Sequence, residues 1–322
     1  MITSVGTASL GRRGPQVSRI GLGCAPIGNL YDTVDEADAA ATVDAAWQAG
    51  VRFFDTAPLY GHGLSERRLG RALAGRPRDE YVLCSKVGRL LRPTSGKVDS
   101  IFALPDDDTT RSVAPVFDLS ADGILRSIDE SLTRLGTDHL DVALLHDPDD
   151  YEDQALAEAL PTLVRLREEG VVSAVGVGMN QWEMLDRFVQ RVDLDLVLVA
   201  GRATLLDRSG TEVLLPRCLD AGVGVVVGGV FNSGVLADPG PTATYDYGAV
   251  PKAVADRVDQ LITACTRARV PLAAAALQWV LRQEAVSCVL VGARSAAEVE
   301  TDVEWATTAV PEELWDELEA IR

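Results

Sequence analysis

The feature that most constrains this chain is a regular alternation of short apolar segments with amphipathic helical patterns. Runs of β-branched and apolar residues predict eight strands, at Ile20–Gly23, Val51–Asp55, Tyr81–Lys86, Leu140–His146, Ala174–Gly178, Leu196–Ala200, Val223–Gly228 and Cys288–Gly292. Helical periodicity falls at about 35–49, 65–74, 120–135, 152–169, 181–191, 211–221, 251–268 and 296–306, with two more helices, 272–284 and 311–321, outside the simple alternation. Such alternation predicts a parallel sheet, and the count of eight favours a single (β/α)8 TIM barrel over a doubly wound sheet.

One domain spanning residues 1–322 is expected, because no linker, low-complexity tract or stronger repeat divides the chain. Before Ile20, a turn within "LGRRGPQVS" separates two short runs and predicts a β-hairpin that caps the barrel. Residues 88–119 break the alternation, since about thirty residues pass without a convincing helix. This segment follows the strand that ends at Lys86, so it is predicted to be a long active-site loop on the carboxyl-terminal face of the barrel.

Composition excludes several classes of partner. The net charge of −18 argues against nucleic acid, since no basic stretch is available to neutralise phosphates. The longest apolar run, "VGVVVGGV" from Val223, is too short to span a bilayer, and the first fifteen residues lack the apolar core of a signal peptide. Five scattered cysteines without a CxxC pair indicate reduced thiols and a cytoplasmic setting. No metal site is predicted, and the oligomeric state is left open.

Lys86 is conspicuous because the chain has only three lysines among its 30 basic residues. Arginine stays charged under ordinary conditions, whereas a buried lysine can shift its pKa and take part in proton chemistry. Taken alone, Lys86 is equally compatible with a strand-end cation whose stem lies along apolar surface.

Three further polar side chains stand at or near the ends of predicted strands. Asp55 ends one strand, Tyr60 follows it by five residues, and His146, one of three histidines, ends another. Each has a structural explanation by itself: Asp55 as a cap, Tyr60 as loop packing, and His146 as a core histidine. In a barrel, however, these three converge with Lys86 on one face, and the set suits proton transfer to a carbonyl oxygen.

The segment "FFDTAPLYGHGLSERRLGRAL", followed by Lys86 and His146, resembles the aldo-keto reductase superfamily. The resemblance extends over nearly the whole chain and includes Gly63–Glu66 and the terminal "VLVGARSAAEVE". Two stretches, "GVGMNQW" and "LVAGRATLLDR", are most similar to the aldose 1-dehydrogenase branch, which contains L-fucose, D-threo-aldose and L-galactose dehydrogenases; pyridoxal 4-dehydrogenase is also similar. The resemblance implies an NAD(P)-dependent oxidoreductase that acts on a small molecule, with Asp55, Tyr60, Lys86 and His146 as its catalytic residues.

The resemblance also implies that a nicotinamide cofactor lies across the barrel mouth. The residues expected to contact it are Gly23, Cys24, Asn180, Phe231, Asn232, Ser233, Gly234, Gly292, Arg294, Glu298 and Asp302. Asn180 matches the position that bonds the carboxamide, and the segment 231–234 matches the loop over the pyrophosphate, although alone it reads as an ordinary turn. The sequence departs from the family where a glutamine and a stacking tyrosine are usual, at Ala200 and Gly228.

The final strand favours NAD over NADP. In phosphate-accepting relatives, basic residues after this strand bind the 2′-phosphate, whereas Gly292 and Glu298 hold those positions here. A glutamate repels a phosphate dianion, and Arg294 is the opposing observation. Glu298 also suits the first turn of a helix without any ligand.

The function expected from the resemblance is oxidation of the C1 hydroxyl of an aldose, such as L-fucose, to the lactone. Tyr60 would exchange the proton, Lys86 held by Asp55 would lower the pKa of Tyr60, and His146 would orient the sugar oxygen. A pyridoxal 4-dehydrogenase and a general aldehyde or ketone reductase are alternatives. A Schiff-base aldolase with Lys86 as nucleophile and a non-catalytic cofactor-sensing subunit are rival classes. The natural substrate is left open.

Overall fold

The computed structural model describes residues 6–95, 98, 100–104, 112–246 and 248–322. Its strands are β1 (Thr7–Ser9), β2 (Gln16–Ser18), β3 (Ile20–Gly23), β4 (Phe53–Asp55), β5 (Val82–Val87), β6 (Arg89–Pro93), β7 (Val113–Phe117), β8 (Val142–His146), β9 (Ala174–Met179), β10 (Leu196–Ala200), β11 (Gly224–Gly228), β12 (Thr244–Tyr245), β13 (Gly248–Ala249) and β14 (Val286–Gly292). Its helices are α1 (Glu36–Gln48), α2 (Leu64–Leu73), α3 (Ala121–Leu135), α4 (Glu152–Gln154), α5 (Leu160–Glu168), α6 (Trp182–Arg191), α7 (Leu214–Ala221), α8 (Lys252–Ala268), α9 (Leu272–Leu281), α10 (Ala296–Thr307) and α11 (Glu312–Ala320).

Eight parallel strands close into a barrel in the order β10-β11-β14-β3-β4-β5-β8-β9, which confirms the predicted (β/α)8 fold. The strands are short and rich in valine and leucine because both of their faces are buried. One apolar layer fills the barrel, with Phe53 and Leu144 among its largest members. A second layer lies between the strands and the surrounding helices. All carboxyl ends therefore meet at one mouth.

The predicted amino-terminal hairpin is confirmed. Strands β1 and β2 pair antiparallel, and Leu10 and Val17 of this hairpin belong to the apolar layer inside the barrel. The hairpin closes the amino-terminal end, where the backbone N–H of Arg12 donates to the carbonyl of Gly222, just before β11. The hairpin therefore covers the amino-terminal end of the barrel, opposite the mouth.

The helix that precedes the last barrel strand differs from the expectation. Residues 251–268 were expected in the alternation, but α9 packs against β14 and α10, whereas α8 packs on α9 and α11. The reason is burial: α9 is apolar almost all round, while only one stripe of α8 is buried. The predicted helix 152–169 is interrupted by a π-helical stretch, Ala155–Ala159.

The segment 88–119 is more regular than expected. Strands β6 and β7 pair antiparallel, and the backbone N–H of Asp118 closes the base of this ribbon on the carbonyl of Gly88. Pro93 and Pro115 lie in its strands, which is tolerated because each strand has a free edge. The remainder of the predicted loop falls partly outside the described residues. Among the helices that the structure describes, none has the length and apolarity needed to cross a bilayer.

Candidate active site

Lys86 is the centre of the candidate active site. Its side chain is 2% exposed, and Nζ donates to Asp55 Oδ1 at 2.5 Å, to Tyr60 Oη at 2.9 Å and to the Thr56 carbonyl at 3.1 Å. A protonated amine has three donors, and all three are used here. The alternative of a strand-end cation in contact with solvent is therefore excluded.

The charges of these groups follow from burial and from each other. Burial lowers the pKa of Lys86, but the Asp55 carboxylate, together with Tyr60 and Cys84, outweighs burial and holds that pKa above its ordinary value. Burial raises the pKa of Tyr60, and the Lys86 ammonium opposes the rise without cancelling it. Lys86 therefore lowers the pKa of Tyr60 as predicted, but this effect is smaller than the rise that burial causes. The site thus contains an ammonium and a neutral phenol.

His146 lies beside Tyr60 at the end of β8. The two rings meet edge to face, with centroids 5.9 Å apart. Burial lowers the pKa of His146 well below its ordinary value, and the nearby cations Lys86 and Arg89 lower it further. The imidazole is therefore neutral, with one donor and one acceptor nitrogen. It is suited to hold a substrate oxygen next to the phenol.

Asp147 and Arg89 are site residues that the sequence reasoning missed. Arg89 donates to Asp147 Oδ2 at 2.9 Å, and its guanidinium lies 4.4 Å from the centroid of the Phe117 ring. The same carboxylate oxygen is 3.5 Å from His146 Nε2. Asp147 has a φ of 42°, which few non-glycine residues adopt and which often marks functional sites. In the sequence, the one feature that could have indicated Asp147 is its position directly after His146.

Aromatic side chains border this polar group. Phe102 packs on Tyr60 with ring centroids 5.9 Å apart, and Tyr151 packs on Phe117 at 4.7 Å. The backbone N–H of Tyr31 donates to the carbonyl of Ile101 at 3.0 Å. The segment 88–119 therefore contacts both Tyr60 and the loop after β3.

A buried network holds the strands that carry Asp55 and Lys86. Ser65 Oγ, at the start of α2, is 2.8 Å from Thr56 Oγ1 and donates to the carbonyl of Cys24. Glu66 is fully buried; it accepts from Ser85 Oγ at 2.8 Å and from Arg134 Nε at 2.5 Å. These bonds tie α2 to β3, β4 and β5, which explains the role of the segment 63–66 in supporting the site.

On the other half of the mouth, the strands that the structure describes end in small residues. Four neighbouring strands, β10, β11, β14 and β3, end with Ala200, Gly228, Gly292 and Gly23, which we call the small-residue floor. An added Cβ would be no closer than 3.5 Å to its neighbours at Gly23 and 3.6 Å at Gly228, and neither has a positive φ. Neither the backbone nor packing requires these two glycines, so the space they leave suits a ligand.

The structure distributes the predicted cofactor residues around this floor. Asn180 directly follows β9 and is partly buried. Cys24 follows β3, but its thiol is fully buried in the layer between strands and helices, and burial raises the pKa of this thiol. The Cys24 side chain is thus directed into the core, and its carbonyl is taken by Ser65.

The segment 231–234 forms a tight left-handed turn. Asn232, Ser233 and Gly234 have φ values of 47°, 58° and 99°. The Asn232 side chain is buried; it accepts from Thr204 Oγ1 and donates to the carbonyl of Gly201. Phe231 packs on Trp305 of α10, with ring centroids 5.7 Å apart. Side chains of this turn therefore anchor it to the protein.

Beyond the last strand, Arg294 is paired with acids. Its guanidinium donates to Asp32 Oδ2 at 2.9 Å and to Glu298 Oε1 at 3.4 Å, while its backbone N–H donates to Glu298 Oε2 at 2.8 Å. Asp302, one turn further, is buried, which together with Glu298 raises the pKa of Asp302 to about 7. Asp32 was not among the predicted residues, since its contact with Arg294 spans 262 positions.

Comparison with known proteins agrees with this geometry, and the sequence profile of the Aldo/keto reductase family matches residues 19–322. The chain belongs to this family. It is 42% identical over 318 residues to D-threo-aldose 1-dehydrogenase from a Pseudomonas species, covering 96% of this chain and 95% of the relative. It is 37% identical over 332 residues to pyridoxal 4-dehydrogenase from Microbacterium luteolum, covering 96% and 95%.

A third relative is L-galactose dehydrogenase from Arabidopsis thaliana, 31% identical over 335 residues, covering 99% of this chain and 95% of the relative. Among solved structures, an aldo-keto reductase from Bacillus halodurans in its holo form superposes with a TM-score of 0.79 at 27% identity, covering 98% and 96% of the two chains. This aldo/keto reductase is thus an oxidoreductase that uses a nicotinamide cofactor and a small-molecule substrate.

Replacement of Lys86 tests the arrangement directly. In Lys86→Arg, a planar guanidinium cannot donate to three oxygens placed around one tetrahedral nitrogen, so kcat should fall by about 10²–10⁴-fold. Lys86→Met leaves the buried Asp55 carboxylate unpaired and should lower the free energy of unfolding by about 3–5 kcal/mol. Steady-state kinetics and urea denaturation measure the two effects.

Lys252→Arg is the matched control, because Lys252 is exposed on α8 and pairs with Asp256 one turn away. It should leave both activity and stability unchanged. Normal kinetics for Lys86→Arg would show that Lys86 serves only the fold.

Proposed function

We propose that this aldo/keto reductase is an aldose 1-dehydrogenase, which oxidises the C1 hydroxyl of an aldose such as L-fucose to the lactone with NAD(P). The observation that carries the proposal is one buried ammonium that joins a carboxylate and a phenol, next to a neutral imidazole. This arrangement supplies a proton donor or acceptor and a separate group to orient the oxygen. The similarity to D-threo-aldose 1-dehydrogenase supports an aldose as substrate.

The small-residue floor fits a nicotinamide cofactor. It lies beside the half of the mouth that carries Tyr60 and Lys86, and the glycines at the ends of β3 and β11 leave room for a ligand. The cofactor, when bound, supplies the hydride chemistry at C4 of its nicotinamide ring. Asn180 and the turn at 231–234 would hold it, with Arg294, Glu298 and Asp302 near its adenosine end.

Tyr60 is assigned the proton transfer. In oxidation the phenolate accepts the proton of the C1 hydroxyl as the carbonyl of the lactone forms, and a bound nicotinamide would take up the C1 hydride. Lys86 stabilises the phenolate, and Asp55 keeps Lys86 charged. His146 donates a hydrogen bond to the sugar oxygen, which its neutral state permits. Reduction of an aldehyde follows the same steps in reverse.

Asp147 and Arg89 are assigned to recognition of the sugar. A carboxylate and a guanidinium beside His146 can accept from and donate to neighbouring hydroxyls, and Tyr151 and Phe117 can cover the apolar face of the ring. The aromatic border, together with the similarity to pyridoxal 4-dehydrogenase, keeps pyridoxal as the second candidate substrate. A general aldehyde or ketone reductase uses the same four residues without this recognition.

The rival classes fit less well. A Schiff-base aldolase needs a neutral amine, whereas Asp55 holds the pKa of Lys86 above its ordinary value and all three donors are engaged. A non-catalytic cofactor-sensing subunit has no use for an intact set of four residues. We also propose a cytoplasmic enzyme whose acidic surface, at a net charge of −18, disfavours nucleic acid and anionic membranes as partners.

Tyr60→Phe tests the proposed chemistry. Because it removes the proton acceptor but keeps the ring, kcat should fall by about 10²–10⁴-fold while the dissociation constant of the cofactor stays within about threefold of normal. Steady-state kinetics on a panel of aldoses and pyridoxal measure this, with cofactor fluorescence for binding. A Phe variant that retains half its activity would remove Tyr60 from its role.

The same assignment predicts how the rate depends on pH. In the wild type, the rate of oxidation should increase as the pH rises, because burial raises the pKa of Tyr60 and the phenolate is the active form.

Asp147→Asn tests the recognition of the sugar. The amide keeps the shape but loses the charge that pairs with Arg89, so KM for the best aldose should rise by about tenfold or more. The kcat/KM for a simple aldehyde without hydroxyls should change much less. Asp150→Asn, at an exposed position three residues away, is the control. Equal losses on both substrates would assign Asp147 to support of His146 instead.

The acids around Arg294 favour NAD over NADP. Asp32 and Glu298 occupy the guanidinium, and both would repel a 2′-phosphate. We expect kcat/KM to be about tenfold higher with NAD than with NADP, and the double variant Asp32→Asn, Glu298→Gln to reduce this ratio by about tenfold. Glu284→Gln removes an acid at the other end of β14 and should leave the ratio unchanged. A wild-type preference for NADP would overturn the assignment.

A further inference from the structure

Gly28 is packed directly against the backbone that carries Tyr60. A Cβ built on Gly28 would lie 2.9 Å from the carbonyl carbon of Tyr60, 3.0 Å from its oxygen and 3.1 Å from Ser65 Cβ. Two of these three atoms belong to backbone, which cannot rotate away as the end of a flexible side chain can. Gly28 has no positive φ, so alanine would fit its conformation. Space, and not backbone conformation, requires glycine at this position.

The contact is reciprocal. Gly61, the residue after Tyr60, has a φ of 59°, and a Cβ on it would lie 2.3 Å from the carbonyl oxygen of Gly28. The two glycines thus let the turn at 26–28 and the Tyr60 loop approach each other more closely than side chains allow. The aromatic ring of Tyr60 is covered on one side by Phe102, whose neighbours pair with the residues that follow Gly28. Tyr60 is therefore held from both sides.

The turn that contains Gly28 is itself held in place. Arg68 of α2 is buried, and its guanidinium donates to the carbonyl of Ile27 at 2.7 Å, to Asn29 Oδ1 at 2.8 Å and to the carbonyl of Val34 at 2.7 Å. Asn29 in turn donates to the carbonyl of Ala103. These bonds flank Gly28 on both sides in the chain. Because the turn is held by these side-chain bonds, we expect an atom added at Gly28 to displace the Tyr60 backbone.

We propose that Gly28 is a positioning residue for proton transfer, which sets the place of the Tyr60 phenol through this backbone contact. The inference rests on the proposed role of Tyr60. A displacement of the Tyr60 backbone by a few tenths of an ångström changes the 2.9 Å hydrogen bond to Lys86 and the approach to a substrate oxygen beside His146. Misplacement on the scale of 1 Å costs about 10²-fold in rate.

Gly28→Ala is the variant that tests this, with Gly75→Ala as its control. Gly75 lies just after α2 and is exposed, and a Cβ built on it would meet no atom within 4 Å. We expect kcat of Gly28→Ala to fall by about 30- to 100-fold, KM and the cofactor dissociation constant to stay within threefold, and the primary deuterium isotope effect on kcat to increase. Gly75→Ala should match the wild type in all of these.

Arg68→Lys serves as a second variant, because it adds no atom beside Tyr60. Lysine cannot maintain all the bonds of the guanidinium, so the turn loosens, and we expect kcat to fall by about three- to tenfold with unchanged cofactor binding. If Gly28→Ala does not fold, this variant decides the question.

Three outcomes would overturn the inference. The first is Gly28→Ala within threefold of wild-type kcat. The second is a fall in kcat matched by an equal loss of cofactor affinity, which would show that Gly28 acts on cofactor binding and not on the position of Tyr60. The third is Arg68→Lys with wild-type kcat when the alanine variant is unfolded. Failure of the proposed function is seen separately, as full activity in Tyr60→Phe.

Discussion

The contact between the Lys86 ammonium and the Asp55 carboxylate is the interaction on which the site depends. Both side chains are at most 3% exposed, and two opposite charges are retained at that depth only as a hydrogen-bonded pair. The pair forms because β4 and β5 are neighbours in parallel register, with Asp55 beside Cys84 and Lys86 two residues further on. Tyr60 and the Thr56 carbonyl complete the surroundings of the ammonium. A single buried charge thus fixes three oxygens in space.

Around this pair, the mouth of the barrel is divided into two halves. Strands β4, β5 and β8 carry Asp55, Lys86 and His146 at or near their ends, whereas β10, β11, β14 and β3 end in the small-residue floor. The side chains proposed to transfer protons lie on one side, and the small-residue floor lies on the other. A substrate carbon placed over the boundary would face the phenol on one side and a cofactor ring on the other. The proposed positions for proton transfer and hydride transfer are thus on different halves of the mouth.

The loop between β3 and α1 connects the parts of this mouth. Gly28 contacts the Tyr60 backbone, and the backbone of Tyr31 is hydrogen-bonded to Ile101 of the segment 88–119. Asp32 pairs with Arg294, which follows the last barrel strand. The Arg68 guanidinium holds the same loop in place through hydrogen bonds to Ile27, Asn29 and Val34. One short stretch of backbone therefore contacts Tyr60, the segment 88–119 and the residues that follow β14.

The sequence by itself determined the barrel, the hairpin, and the convergence of Asp55, Lys86 and His146, because strand and helix periods and strand ends are local properties. The close contact of Tyr60 with Lys86 follows from the same logic, since Tyr60 follows β4 and Lys86 lies near the end of the neighbouring β5. Only the tertiary structure decided that α9 and not α8 lies in the ring, since that depends on which helix must bury every face. The Arg89–Asp147 pair, the Asp32–Arg294 pair and the approach of Gly28 to Tyr60 join residues 58, 262 and 32 positions apart. Contacts of that span leave no periodic trace in a sequence, because they arise only when the chain closes on itself.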